Sequence, residues 1–511
     1  MIKWKNAAAF PLESAALKEY FHMPDSFPPL LEALACHSTG GPAPMHMPGH
    51  KRNAALAPYL AALGAAYDIT EIHGFDDLHE AEGILKDSMD RADRLWGAQR
   101  SFYLVNGSTC GILAGIRAAV GRGSKVILSR GCHKSVYHAL ELCGAVPVWL
   151  APPVDASFGV LASITPEQVR AALDAHPDAK LLVLTSPTYE GVISDLAAIC
   201  TAAHAAGVPV LVDEAHGAHL GLAPGWPTGA VAAGADVVVQ SLHKTLPSLT
   251  QTGILHQQGN LIPAESLARQ LGIFETSSPS YLLMASMDGC VDLLERKGGE
   301  LFARWQAALA AFDRAIAGLS RLRVLCHGAD TPEQHPGLFA HDPGKLAIST
   351  RGTALTGPGL MVRLREEFSI ELEMASGDWA IAMTGLGDTE ENLLRLATAL
   401  TAIDKSLAAC PMPPEAEPLP LPPAALPVAQ ALELPFEEVP LAACEGRVSA
   451  EYVWAYPPGI PLIVPGESVD RVFLDCCARL NRQGVRLHST GGTMPRALRV
   501  LTAASNLSKG D

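Results

Sequence analysis

The stretch Ser241-Leu-His-Lys-Thr-Leu-Pro-Ser-Leu-Thr250 places one lysine, Lys244, among hydroxyl groups and an imidazole. It directly follows residues 235 to 240, Ala-Asp-Val-Val-Val-Gln, a β-branched run typical of a buried strand. A lysine with its ordinary pKa is protonated in water and is a poor nucleophile. One that forms a Schiff base therefore needs a site that holds an aldehyde against it. The stretch predicts such a site at the end of a strand.

A second β-branched run, Val208-Pro-Val-Leu-Val-Asp213, ends on an acid upstream of the lysine and is followed by His216. Pyridoxal phosphate is the usual aldehyde for a Schiff-base lysine. Its ring nitrogen needs an acidic partner, because the pyridinium ring accepts the charge of a carbanion. Asp213 is the candidate for that partner, although a lone aspartate in this position could also cap a helix.

A third apolar run, residues 101 to 109, passes into the helical pattern of residues 110 to 120. Gly107, Ser108 and Thr109 would therefore lie at a helix N-terminus. Free backbone N–H groups and the helix dipole favour a phosphate group there. An ordinary helix cap is the alternative interpretation.

Further runs predict the fold class. Lys125-Val-Ile-Leu-Ser-Arg-Gly-Cys-His133 ends another strand on a planar imidazole, which could stack on a pyridine ring. Residues 181 to 191 repeat the arrangement, and helical patterns at 166 to 175 and 196 to 206 separate the runs. Strands that alternate with helices indicate an α/β protein with a mostly parallel sheet, which binds ligands beyond the carboxyl ends of its strands.

The string S-L-H-K-T-L-P-S-L-T-Q at residues 241 to 251 resembles the pyridoxal-phosphate attachment motif of the ornithine/lysine/arginine decarboxylase family. Four other segments resemble the same family, and they occur in the expected order: His46-Met-Pro-Gly-His-Lys51, Asp68-Ile-Thr-Glu-Ile-His-Gly-Phe-Asp-Asp-Leu78, Thr276-Ser-Ser-Pro-Ser-Tyr-Leu-Leu-Met-Ala-Ser286 and Tyr456-Pro-Pro-Gly-Ile-Pro461. The resemblance runs from about residue 40 to about residue 470. It implies a large fold-type-I domain and smaller α/β C-terminal domains.

The resemblance also implies a reaction and a set of site residues. The reaction is decarboxylation of arginine, lysine or ornithine to the amine and CO₂, as in polyamine or diamine formation, with pyridoxal 5'-phosphate as cofactor. Lys244 would attach the cofactor, Asp213 would pair with the ring nitrogen, His133 would stack on the ring and His216 would lie beside it. The phosphate would be held by Ser108, Thr109, Ser241 and His243, next to Gly107.

By the same resemblance, the protein would be at least a homodimer with shared active sites, and Thr276 to Tyr281 would reach into the partner's site. Larger members of the family carry an N-terminal receiver-like domain. Because the H-M-P-G-H-K segment begins at residue 46, we expect the shorter form here.

Several alternatives stay open. The chain could be another fold-type-I enzyme, an aminotransferase or a lyase, or a non-catalytic protein that binds the cofactor. An aminotransferase usually clamps the substrate carboxylate with arginine, and the sequence does not place the candidates Arg351, Arg363 and Arg365. The spacing of two histidine pairs would allow zinc, but no CxxC or HExxH accompanies them, so we predict no metal site. These pairs are His46 with His50 and His216 with His219.

Composition agrees with a cytoplasmic enzyme. The 511 residues carry a formal net charge of −15, which argues against a nucleic-acid partner. There is neither a signal-peptide pattern nor an apolar run long enough for a membrane span. Eleven cysteines without regular spacing predict reduced thiols rather than a disulfide framework.

We predict five segments along the chain: a helical segment at 1–40, the cofactor domain at 41–285, a small α/β domain at 286–410, a linker with eight prolines at 411–427, and a C-terminal domain at 428–511. A distal cation on the substrate should meet a carboxylate. The candidates in family-like segments are Asp76, Asp77, Glu190 and Glu451, and for each of them a structural role is favoured over a role in specificity.

Overall fold

The computed structural model describes residues 28–40, 42–412, 418–456, 460–482 and 485–502. The helices are α1 Pro29–Gly40, α2 Pro58–Ala62, α3 Ile84–Trp96, α4 Gly107–Ala119, α5 Lys134–Cys143, α6 Pro166–Ala175, α7 Leu196–Ala205, α8 Leu242–Thr245, α9 Ala264–Phe274, α10 Tyr281–Ile316, α11 Gly357–Phe368, α12 Glu390–Ser406, α13 Val428–Leu432 and α14 Arg471–Arg482. The strands are β1 Arg100–Leu104, β2 Lys125–Ser129, β3 Val146–Leu150, β4 Leu181–Thr185, β5 Val192–Ile193, β6 Val210–Asp213, β7 Val237–Gln240, β8 Gly253–Gln257, β9 Arg323–Val324, β10 Ala340–His341, β11 Lys345–Ser349, β12 Met374–Ser376, β13 Trp379–Met383, β14 Phe436–Pro440, β15 Val453–Tyr456, β16 Pro461–Ile463, β17 Arg486–Ser489 and β18 Ala497–Leu501.

Seven strands form the main sheet, in the order β1-β8-β7-β6-β4-β2-β3. Strands β3, β2, β4, β6 and β7 are parallel, and β8 runs antiparallel to both of its neighbours. The central strands β6 and β7 are buried at every residue, as their continuous apolar runs predicted. The α/β class and the mostly parallel sheet are therefore confirmed, and the carboxyl ends of the parallel strands share one edge.

Smaller antiparallel sheets follow along the chain. A four-stranded sheet has the order β12-β13-β11-β9, and a three-stranded sheet has the order β16-β15-β17. The longest of the described helices is α10, which begins at Tyr281 and spans 36 residues. None of the described helices combines the length and the apolar character that crossing a bilayer requires.

Parts of the predicted segments lie outside the described residues, namely 1–27, 41, 413–417, 457–459, 483–484 and 503–511. Among the remaining residues of the proline-rich stretch there is neither a helix nor a named strand. The domain boundaries stay predictions.

A buried histidine connects the loop after β3 to the segment after β9. The Nδ1 atom of His335 lies 2.9 Å from Asp155 and its Nε2 atom lies 2.7 Å from Asp330. Burial alone would lower the pKa of His335, but the two carboxylates raise it to about 9. Cys326 is also close to Asp330 and His335, in a grouping of possible metal ligands, but both imidazole nitrogens already donate to carboxylates.

This ion-paired His335 predicts a specific pH dependence of stability. Its pKa in the folded chain lies above the ordinary value of 6.5, so its contribution is complete below pH 6.5 and is lost as pH rises through about 9. We expect the free energy of unfolding to fall by up to about 3 kcal/mol over that window, measured by urea denaturation at several pH values.

His335→Gln should remove most of this fall, whereas His73→Gln, at an exposed position, should keep it. If the free energy of unfolding fell equally over this pH range in both variants, the assignment to His335 would be contradicted.

Candidate active site

A cavity of about 620 Å³ lies at the carboxyl ends of β2, β4 and β6. Residues that end or follow these strands form its wall: Cys132 and His133 after β2, Thr185 at the end of β4, and Asp213 at the end of β6. The cavity is thus at the edge where an open parallel sheet binds its ligands.

Lys244 lies in α8, immediately after β7, and its side chain enters this cavity. Its Nζ atom is 3.0 Å from Nε2 of His216. Burial lowers the pKa of Lys244, against the opposing effect of Asp213 and Glu373. Burial and the nearby Lys244 together hold the pKa of His216 well below its usual range. His216 is therefore a neutral imidazole that accepts a hydrogen bond from the lysine and orients it.

Asp213 is the last residue of β6, and its carboxyl group is buried. It accepts a hydrogen bond from the backbone N–H of Ala215 at 3.1 Å. Burial raises its pKa, although Lys244 opposes the rise. The neighbouring acid, Glu214, instead accepts hydrogen bonds from Ala230 and from the Gln240 side chain, outside the cavity wall. Of these two adjacent acids, only Asp213 reaches the cavity.

His133 caps α5 at its N-terminus and also forms part of the cavity wall. Its Nδ1 atom accepts a hydrogen bond from the backbone N–H of Ser135 at 3.3 Å and lies 2.9 Å from the Ser135 hydroxyl. Burial and the Lys244 charge lower its pKa to about 4, so the ring is neutral. A neutral planar ring at the cavity wall can pack against a flat ligand.

The start of α4 lies beside Lys244. The side chain of Asn106, the N-cap residue, accepts no hydrogen bond from the first backbone N–H groups of this helix. Ser241 donates to Ser108 through their hydroxyl groups at 3.0 Å, and Ser108 reaches the cavity. Four predicted residues adjoin this wall without lining the cavity: Gly107, Thr109, Ser241 and His243. Nδ1 of His243 lies 2.8 Å from the Thr252 carbonyl oxygen.

The C-terminal part of the chain supplies another wall, with Tyr452, Trp454, Ile460, Pro461 and Thr490. A buried ion pair attaches this part to the main sheet. The guanidinium group of Arg130 makes two hydrogen bonds to Glu467, at 2.8 and 2.9 Å, and both side chains are almost fully buried. Sequence analysis missed this pair because Arg130 and Glu467 lie 337 residues apart, and nothing in either segment indicates the other as its partner.

The opposite wall contains Tyr189, Glu190 and Glu373. The Tyr189 ring centroid is 4.4 Å from that of His216, and its hydroxyl donates to Glu373 at 2.6 Å. Burial raises the pKa of Glu190. Glu373 was also missed. In Ser369-Ile-Glu-Leu-Glu-Met374 it alternates with Glu371 around a buried leucine, and the alternation does not tell which acid enters a cavity.

Comparison with known proteins identifies the family. The model of the Orn/Lys/Arg decarboxylase major domain matches residues 28–322, and the model of the C-terminal domain of the same family matches residues 421–481. The chain belongs to the Orn/Lys/Arg decarboxylase family.

Individual relatives agree. An arginine decarboxylase of Halalkalibacterium halodurans is 35% identical over 483 residues, which cover 93% of this chain and 97% of the relative. An arginine decarboxylase of Bacillus subtilis is 34% identical, over 89% of this chain and 95% of the relative. This chain is therefore a decarboxylase that acts on a basic amino acid, and the recognition made from its motifs is confirmed.

The fold is that of the fold-type-I pyridoxal-phosphate enzymes. The crystal structure of the Francisella novicida lysine decarboxylase LdcF superposes with a TM-score of 0.78 at 20% identity, covering 96% of this chain and 83% of that one. At this identity the match bears on the fold alone.

Arg351, which follows β11, and Arg363 and Arg365 of α11 do not line the decarboxylase cavity. Arg351 pairs with Asp378, while Arg363 and Arg365 pair with Glu367 and Glu371. Among the described residues that line the cavity there is no arginine. The described part of the wall therefore contains no arginine that could bind the substrate carboxylate as in an aminotransferase.

The four carboxylates considered as partners for a distal cation of the substrate differ in whether they line the cavity. Asp76 accepts hydrogen bonds from the backbone N–H groups that open α3, and Glu451 accepts them from Gly491 and Arg499. Asp77 accepts one from the backbone of His79. Of the four candidates, only Glu190 lines the cavity.

The histidines considered for zinc have other partners. His50 contacts Asp68 at 3.1 Å and His219 contacts Asp342 at 3.0 Å, while His216 contacts Lys244. Nδ1 of His46 contacts the Met47 carbonyl oxygen.

We expect the attachment of the C-terminal wall to depend on the buried negative charge of Glu467, which pairs with Arg130. Glu467→Gln leaves the buried guanidinium without a full counter-charge, so we expect a loss of about 3 kcal/mol of stability. Urea denaturation, followed by tryptophan fluorescence, measures this loss. Glu437→Gln, which breaks the exposed pair with Arg447, is the control and should change stability by less than about 1 kcal/mol. Equal effects of the two substitutions would contradict the prediction.

Proposed function

We propose that this decarboxylase converts arginine to the corresponding amine and CO₂, with pyridoxal 5'-phosphate held in the cavity at the sheet edge. The observation that carries the proposal is the convergence of Lys244, His216 and Asp213, from two separate strand ends, in one cavity. The choice of arginine is supported by the two relatives that are named arginine decarboxylases and that align over most of their length.

The polar groups of the cavity fit this cofactor. Oγ1 of Thr185 and Nδ1 of His216 are buried without a hydrogen-bond partner among the described residues, and both side chains line the cavity. A polar ligand would satisfy such atoms. In our proposal Lys244 attaches the aldehyde, Asp213 pairs with the ring nitrogen, His133 packs against the ring and His216 lies beside it. The phosphate is held at the start of α4 by Gly107, Ser108, Thr109, Ser241 and His243.

When bound, the cofactor supplies an electron sink for the electron pair that CO₂ leaves behind. The residues of the chain prepare this step. Lys244 must present a neutral amine, which its buried position favours. Asp213 supplies negative charge next to the ring nitrogen. Tyr452, Trp454 and Pro461 exclude water, and a poorly solvated pocket favours the loss of a charged carboxylate as neutral CO₂.

We assign recognition of the distal guanidinium group to Glu373. This carboxylate lines the same cavity as Lys244, and the charges of the two side chains influence each other. The Tyr189 hydroxyl holds one of its oxygens. A carboxylate fixed in this way can accept a guanidinium group by two parallel hydrogen bonds. Glu190 is less suited, because burial favours its neutral form.

We also propose a homo-oligomer, at least a dimer, in which residues 276–281 approach the partner's site. Large apolar side chains support this, because Met45, Leu56, Tyr59 and Leu63 are more than two-thirds exposed in the single chain. A second copy that covers them would be stabilised. The eleven cysteines are all free, which supports the proposal that the enzyme works in the reducing cytoplasm and there contributes to polyamine formation.

Release of CO₂ tests the reaction and the substrate. Carboxyl-labelled arginine, lysine and ornithine are assayed in parallel with the purified chain and pyridoxal phosphate. We expect the highest kcat/KM for arginine and a loss of about a thousandfold or more in Lys244→Ala. Lys125→Ala is the control and should keep full activity, because Lys125 lies at the amino end of β2, away from the cavity, and pairs with Asp178. Faster turnover of lysine, or consumption of a keto acid without CO₂, would overturn the proposal.

The role of Glu373 is tested by a matched pair of substitutions. We expect Glu373→Gln to lower kcat/KM for arginine about 10- to 100-fold, because it removes the charge that meets the guanidinium group. The absorbance of the bound cofactor should be unchanged. Glu371→Gln, two residues earlier and paired with Arg365 at the surface, should behave as the wild type. If the two variants had the same kcat/KM, Glu373 would not bind the substrate.

A further inference from the structure

Four buried polar residues form a hydrogen-bonded row across the main sheet: Ser101 in β1, His256 in β8, Gln240 in β7 and Glu214 directly after β6. Nδ1 of His256 lies 2.8 Å from the Ser101 hydroxyl, and its Nε2 atom lies 3.2 Å from Oε1 of Gln240. The Gln240 amide donates to Oε2 of Glu214 at 2.8 Å. Each residue is at most 2% exposed. Apolar side chains would fill these positions without the cost of removing polar groups from water, so the row indicates a role beyond packing.

The bond between Glu214 and Gln240, called here the Glu214–Gln240 link, joins the two segments that carry proposed catalytic residues. Glu214 directly follows Asp213, the last residue of β6. Gln240 is the last residue of β7, and the segment that carries Lys244 begins directly after it. Successive side chains of a strand point to opposite faces, so Glu214 points away from Asp213. Neither member of the link lines the cavity, and neither contacts the cofactor or the substrate in the proposed function.

The side chain of Glu214 is held in one position. Its Oε1 atom accepts a hydrogen bond from the backbone N–H of Ala230 at 2.8 Å, while Oε2 accepts the one from Gln240. A Cβ atom on Gly217 would approach Cγ of Glu214 to 2.7 Å, so only glycine fits against the stem of this side chain. A side chain fixed at both oxygens and along its stem also fixes the backbone next to Asp213.

The link lies where the backbone pairing of β6 with β7 weakens. The paired residues of the two strands end at Asp213 and Val239. The backbone N–H of Glu214 still donates to the Val239 carbonyl oxygen at 2.9 Å, but the next such bond, from Ser241 to Ala215, has lengthened to 3.4 Å. This distance is beyond the usual range for an N–H···O hydrogen bond. The side chains therefore connect the two segments where the backbone no longer does so closely.

We propose that Glu214 and Gln240 are positioning residues, whose link fixes the place of Asp213 relative to Lys244. A cofactor attached to Lys244 meets Asp213 at its ring nitrogen, so the two side chains must keep a constant separation. Sites of this kind require their groups to be held to within about 0.5 Å. The inference rests on the proposed function, in which Asp213 pairs with the ring nitrogen.

The first test measures how tightly the chain binds the cofactor, without using catalysis. The full-length chain, freed of cofactor, is titrated with pyridoxal phosphate and followed by tryptophan fluorescence. We expect Gln240→Met, which nearly keeps the size of the side chain but removes the link, to raise the Kd about five- to thirtyfold. Ser101→Ala removes a hydrogen bond at the other end of the row and should stay within about twofold of the wild type. An equal rise in the two variants, or no rise in Gln240→Met, would overturn the proposal.

A double-mutant cycle tests whether the two side chains act as one unit. Glu214→Met should raise the Kd as Gln240→Met does, and the variant with both substitutions should differ from either single one by no more than about twofold. If the effects of the two substitutions multiplied, the side chains would act independently and the proposal would fail. Where a methionine variant does not fold, Gln240→Asn carries the same expectation, because its amide is one methylene too short to reach Glu214.

A second cycle tests whether the link acts through Asp213. Asp213→Asn should weaken cofactor binding in the wild type, because it removes the charge next to the ring nitrogen. In the Gln240→Met background the same substitution should have an effect at least about threefold smaller, since Asp213 is already displaced there. A full effect of Asp213→Asn in both backgrounds would show that the link stabilises the fold without placing this acid.

The outcome is independent of the CO₂ assay. A chain that releases no CO₂ from arginine but shows the expected Kd values would refute the proposed reaction and leave the positioning role intact. A chain that decarboxylates arginine but binds the cofactor equally well without the link would do the reverse.

Discussion

At the carboxyl edge of the main sheet, the desolvation of Lys244 controls the chemistry that the cavity can perform. An amine in water holds its proton, and a protonated amine cannot attack an aldehyde. The chain brings Lys244 into a wall where burial lowers its pKa and a neutral His216 accepts its hydrogen bond. Asp213 stays near enough to stabilise positive charge in the cavity without making a direct contact that would fix the lysine as an ammonium.

Several parts of the chain must close over this edge for the desolvation to hold. The C-terminal part contributes Tyr452 and Trp454, and the Arg130–Glu467 pair attaches it to the end of β2, next to His133. On another side, the ion-paired His335 joins the loop after β3 to the segment after β9. Both connections bury charge between distant segments, where loss of one partner is costly. The C-terminal wall of the cavity is therefore held by a long-range ion pair in addition to apolar packing.

Much of this arrangement could be predicted from local patterns. The apolar runs that end at Asp213 and His133 became β6 and β2 with their functional residues at one edge, because parallel strands linked by crossover helices present their carboxyl ends together. Gly107 to Thr109 open a helix, as predicted. The antiparallel strand β8 was not anticipated, since residues 253–257 carry no signal of strand direction.

Glu373 and Glu467 were not predicted, and the reason is common to both. Each lies more than a hundred residues from Lys244, in a segment whose own pattern indicates only a strand or a turn. Their significance comes from what faces them after folding, the Tyr189 hydroxyl and the buried Arg130.

The linear order of residues was enough to predict the succession of strands and helices, the residue types at the strand ends and the family, because these depend on neighbours along the chain. Which of the many acids meet Lys244 in the cavity became apparent only in the folded chain. Burial and charge coupling act through space over a few ångströms, and no pattern of adjacent residues encodes those distances.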